Sequence, residues 1–186
     1  MCGRVSQRME AVVKKSAQSA PAASPAKQIA GFISKFDPEV ARVIRSARAT
    51  LRKRFPTAIE QVYDNYNFLA IGFCTTERTS DCIVSLAAQA KGVALSFYYG
   101  ASLPDPCGIL QGSGNQNRFI RLESAATLSN RDVQTLLAAA VAQAKSPLPA
   151  TGGGYTLIKS ISAKQRPRRL PQKIGMPSRH LGRQAK

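Results

Sequence analysis

With 186 residues, 44% of them apolar, the chain can build one domain with its own core, and it has no run of about 18 apolar residues that would span a membrane. The formal net charge of +17 is concentrated at the ends: residues 28–144 hold twelve Lys or Arg and nine Asp or Glu, whereas residues 145–186 hold ten basic residues and no acidic one. Such an imbalance speaks to association with polyanions rather than to any fold.

Residues 1–27 carry five Lys or Arg against Glu10 alone and include the low-complexity run SAQSAPAASPAK, which reads as a disordered basic N-terminal extension. No apolar block suited to a signal peptide precedes it, so the cytoplasm is the expected location. Asp37-Pro38-Glu39 predicts a helix start, with Asp37 as N-cap and Pro38 in the first helical position. Val40, Val43, Ile44, Ala47 and Leu51 then form one apolar stripe, Arg42, Arg45, Arg48 and Arg52 fall on the remaining surface, and Phe55-Pro56 ends the helix.

Strand-like runs follow at 59–65, 68–74, 82–89, 93–99 and 118–123, the third and fourth joined as a hairpin through Gln89-Ala90-Lys91-Gly92. Residues 68–74 and 82–88 are apolar on both faces, as central strands are. Cys74 and Cys82 end and begin neighbouring strands and are expected to face each other as small buried thiols. A second helix is predicted over 130–144, capped by Ser129, with Asp132 in its first turn and Val133, Leu136, Leu137, Ala140, Val141 and Ala144 buried. Ser146-Pro147-Leu148-Pro149 and Gly152-Gly153-Gly154 then mark a boundary, beyond which residues 145–186 read as a disordered basic C-terminal tail.

The only histidine, His180, lies in that tail, so no Cys-His or Ser-His pair can be assembled in the folded core and no catalytic residue is assigned. The loop before the last strand offers Gly108, Gly112 and Gly114, whose N–H groups would be free to converge on an anion, with Arg118 and Arg121 to neutralise it. The spacing is neither a dinucleotide fingerprint nor a P-loop, and turn formation is the simpler role for these glycines. In the tail, Lys159, Lys164, Arg166, Arg168, Arg169 and Lys173 are candidates for salt-sensitive, sequence-independent binding to nucleic acid.

The run FYYGASLPDPCGILQGSGNQNRFIRLES, from Phe97 to Ser124, resembles the YdhG-like family of small bacterial domains of unknown function, and the resemblance extends over about residues 29–144. It implies an α+β, frataxin-like domain over residues 28–144: an antiparallel sheet of about five strands with two helices on one face. It also implies a binding domain rather than an enzyme. Some relatives are regarded as iron chaperones, so iron is the implied ligand, iron-sulfur assembly proteins are implied partners, and Asp37, Glu39, Glu60 and Asp64 match the exposed carboxylates to which iron binding is attributed. Nucleic acid bound through the basic tail is the alternative, with the protein a monomer or weak homo-oligomer and no membrane involved.

Overall fold

The computed structural model describes residues 23–169. It is an α+β arrangement of three α-helices and one six-stranded sheet. Helices α1 (Pro25–Ser34) and α2 (Pro38–Arg54) precede β1 (Ile59–Asp64), β2 (Leu69–Cys74), β3 (Cys82–Gln89), β4 (Gly92–Phe97) and β5 (Arg118–Leu122). Helix α3 (Arg131–Ala142) and β6 (Thr156–Ile161) complete it, and the strand order is β5-β4-β3-β2-β1-β6. Neighbours pair antiparallel except β6, which runs parallel to β1, so the sheet is mixed, where the resemblance implies an antiparallel one, and has one strand more than the strand-like runs predict.

The five predicted strands stand where the alternation places them, and their register separates two unlike faces. The row Val62–Ile71–Leu86–Leu95–Ile120 crosses the sheet without a polar atom in any side chain and is buried throughout. It packs against Val43, Ile44, Ala47 and Leu51 of α2 and Val133, Leu136, Leu137 and Ala140 of α3 in a single core. One residue along each strand, the row Gln61–Gly72–Ser85–Ser96–Phe119 lies on the other face and takes no part in that core. All the helices thus cover one side of the sheet, because only that side offers them an apolar row to bury.

Helix α2 has the predicted bounds, although Asp37, in the N-cap position, makes no side-chain capping bond. Helix α3 begins one residue later than expected: Ala125–Ser129 forms a 3₁₀ turn, and Asn130 rather than Ser129 caps the helix, accepting from the Asp132 N–H at 2.8 Å. Helix α1 starts inside the region read as a disordered extension. Ser24 accepts from the Lys27 N–H at 3.4 Å, Pro25 opens the first turn, and Ile29, Phe32 and Ile33 at i, i+3 and i+4 fall into the core.

The other correction concerns the tail. Residues 145–169 are not a solvated extension, since β6 lies within them and zips onto β1 from Glu60 to Asp64. Gly154 permits the approach: its N–H donates to the Pro56 carbonyl at 2.8 Å, and a Cβ there would collide with the Ala58 carbonyl oxygen. Residues 1–22 and 170–186, with them Lys173 and His180, lie outside the described residues.

Candidate polyanion-binding site

The small side chains of the uncovered face leave a depression of about 260 Å³ over β3, β4 and β5. Ala87, Ala94 and Ser96 form its floor, and Lys91, Phe119 and Arg121 rise around it. The two-residue turn Ala90-Lys91 carries the lysine, while alternation along β5 puts Phe119 and Arg121 on this face together. Asn117 donates to the Ser96 hydroxyl at 2.7 Å. Phe119 is seated from behind by its own loop: Gln111 and Phe119 exchange two backbone hydrogen bonds, at 2.8 and 3.0 Å. Gly112, at φ +105°, lies so close that a Cβ there would meet the ring at 3.5 Å.

A second depression of about 500 Å³ adjoins the same hairpin turn and is lined also by Asn67, Phe68 and Arg166. Gln89 and Lys91 line both depressions, and no carboxylate lines either. Arg166 is held in place by its own N–H, which donates to the Tyr66 carbonyl at 2.9 Å, and its guanidinium lies 5.5 Å from the centre of the half-exposed Tyr66 ring. Lys91, Arg121 and Arg166 therefore mark a cationic trough around the β3–β4 turn at one end of the sheet, with Phe119, Phe68 and Tyr66 among them. The β1 end of the uncovered face is closed by the β2–β3 loop, where Gln61 donates to the Thr76 carbonyl at 3.0 Å and the Tyr63 and Thr79 hydroxyls share a 2.7 Å hydrogen bond.

Among the described tail candidates, only Arg166 lines this trough. Arg168 is buried, with its Nη2 3.1 Å from Asp64 and its guanidinium 5.6 Å from the centre of the Phe36 ring. Arg169 donates to the carbonyls of Phe36 and Ser34 at 3.2 and 3.1 Å, satisfying acceptors at the end of α1. Lys159 reaches the Glu77 carbonyl at 3.2 Å, and Lys164 is exposed.

The glycine loop closes on itself. Gly108 and Gly112 adopt φ of +62° and +105°, as turn-forming glycines do. The N–H groups of Ile109 and Leu110 are taken by the two carboxylate oxygens of Asp105, at 3.0 and 2.8 Å, so the loop supplies its own anion. Gly114 is exposed, and Arg118 turns its guanidinium onto the carbonyls of Gly114 and Asn117. From that set only Arg121 faces the trough.

The four carboxylates matched to iron do not assemble. Glu39 pairs with exposed Arg42 at 2.5 Å, and Asp37 stands at the helix start. Glu60 and Asp64, expected on the surface, are buried on the helix-covered face and already hold cations. Both Glu60 oxygens take Arg48 at 2.6 Å; one also takes Arg52 at 2.9 Å and Thr156 at 2.7 Å. Asp64 takes Lys35 at 2.6 Å as well as Arg168. Oxygens committed to guanidinium and ammonium groups are poor donors to a metal ion. Among the described residues no group of three or more His, Cys, Asp or Glu is placed to hold one.

Cys74 and Cys82 do pair across β2 and β3, through a bulge after Phe73 that was not expected. Both sulfurs sit over Gly72, at 3.6 and 3.0 Å from where its Cβ would be. Contact with the Cys82 thiol, then burial, pushes Cys74 above the ordinary thiol range, as for a small packing residue.

Fold and site together define an α+β domain with a helix-covered sheet face and a cationic trough around the β3–β4 turn. Comparison with protein-family models, curated proteins and solved structures finds no match for this chain. Among the described residues no helix is long and apolar enough to cross a membrane.

Proposed function

We propose that this is a binding domain of the YdhG-like, frataxin-like type that holds nucleic acid along the open face of its sheet. The observation that carries the reading is the pair of adjoining depressions joined at Lys91, which bring Lys91, Arg121 and Arg166 together without a single lining carboxylate. Two carboxylates, Glu60 and Asp64, are turned inward onto arginines and a lysine of the helices and the C-terminal strap, while Glu39, Glu77 and Glu123 are exposed but line neither depression. The surface charge left over is positive. Binding by such a surface releases counterions from the phosphate backbone and weakens steeply with salt.

The test is affinity for DNA as a function of salt, comparing the intact protein with the Lys91→Ala, Arg121→Ala, Arg166→Ala triple variant. Each lost phosphate contact lowers the log–log slope by about 0.7–0.9, so the expected decrease is about 2–3. Identical slopes in the two proteins would contradict the proposed surface. Arg168→Ala, by contrast, removes a side chain that is inside the fold and is expected to act on stability.

A further inference from the structure

We infer that the trough is built for single-stranded nucleic acid, with an unpaired base stacked on Phe119 and its phosphates running over Lys91 toward Arg166. The inference rests on the nucleic-acid reading above and adds to it the form of strand that binds. Charge alone would serve any polyanion, but a half-buried aromatic ring in the wall of a cationic depression adds a surface that only a planar partner uses.

The ring is positioned rather than incidental. Its backbone is clamped by the paired bonds to Gln111, and its rear is covered by Gly112, in a conformation that disfavours a side chain there. The floor beside it is Ala87, Ala94 and Ser96, side chains short enough to leave space above the sheet for a flat group. Polar groups ring that space: the amides of Gln89 and Asn117 and the Ser96 hydroxyl can meet the edge of a base without selecting one. Beyond the hairpin turn, Arg166 lies over Tyr66, a second ring with a cation beside it. A duplex keeps its bases stacked inward and offers this surface only phosphates, whereas a single strand offers both.

Equilibrium binding of the full chain to a short oligothymidylate, to a duplex of the same length and to inorganic polyphosphate, at one fixed salt concentration, tests this. The oligothymidylate is expected to bind more tightly than the duplex. Phe119→Leu, which keeps apolar bulk but loses the ring, is expected to weaken the oligothymidylate by about five- to hundred-fold, while polyphosphate affinity stays as it was. Phe119→Tyr is expected to restore binding, which separates loss of the ring from loss of the fold. If Phe119→Leu leaves oligothymidylate binding unchanged, or weakens polyphosphate equally, base stacking is overturned while the polyanion surface stands. If neither oligothymidylate nor polyphosphate binds, that surface is overturned with it.

Discussion

Burial alone would raise the Glu60 carboxyl, because an ionised carboxylate loses its hydration inside the core. The hydrogen bonds from Arg48 and Thr156 and the charges of Arg48 and Arg52 outweigh that cost and hold the group below its ordinary value of 4.5. A carboxyl depressed in the folded state binds its proton more readily when unfolded, so its contribution is fully present above about 4.5 and fades as pH falls through the lower folded value. Glu60→Gln is expected to cost about 3 kcal/mol at neutral pH, the lower end for a broken buried pair, since Arg48 and Arg52 keep some access to water. Urea unfolding followed at neutral pH and again below the carboxylate range checks this. The gap between Glu60→Gln and the parent protein should narrow with acid, and a gap independent of pH would refute the assignment.

At the scale of elements, α1 offers a simple gain in stability. Gly31 is exposed inside the helix, and a Cβ there meets nothing within 4 Å, so Gly31→Ala is expected to stabilise the protein by roughly 0.5–1 kcal/mol. An unchanged or lower melting temperature would show that this turn is not helical in solution. The signals for α1 are present in the sequence, as Ser24-Pro25 and the spacing of Ile29, Phe32 and Ile33, but they adjoin an alanine- and serine-rich run whose composition masks them. Strand β6 is harder to read. Being at the sheet edge it is only half-buried at best, so its residues need little hydrophobic pattern, and its parallel partner β1 is remote in sequence. Strands β1, β4 and β5 and helix α2 were legible because each buries one face on the core and shows its period, and β2 and β3 because they are short apolar runs bounded by polar turns.

For the whole molecule, the basic C-terminal segment changes role. Composition predicts that its removal leaves the core intact, but Thr156 bonds Glu60, Arg168 bonds Asp64 and Arg169 bonds the end of α1, so the segment carries buried partners of the main body. Deletion from residue 155 onward is expected to lower the melting temperature sharply or prevent folding, read by circular dichroism. A truncated protein that melts like the intact one would refute this. The binding site was legible only in part for a related reason: Arg121 and Arg166 were visible as charges, but Lys91 was read as a turn residue and Phe119 as part of a strand. Their convergence depends on strand order and on the path of residues 162–169. Asp105, which fills the glycine loop's own N–H groups, could not be told from any other loop aspartate.

The parallel pairing of β6 with β1 also constrains how the protein is made. A ribosome releases β1 long before β6, and until then β1 is an edge strand with unpaired backbone groups and two buried-type carboxylates lacking some of their partners. Nascent chains of this protein therefore pass through a stage in which most of the sheet can form while its β1 edge remains adhesive, and β6 closes that edge once it is synthesised.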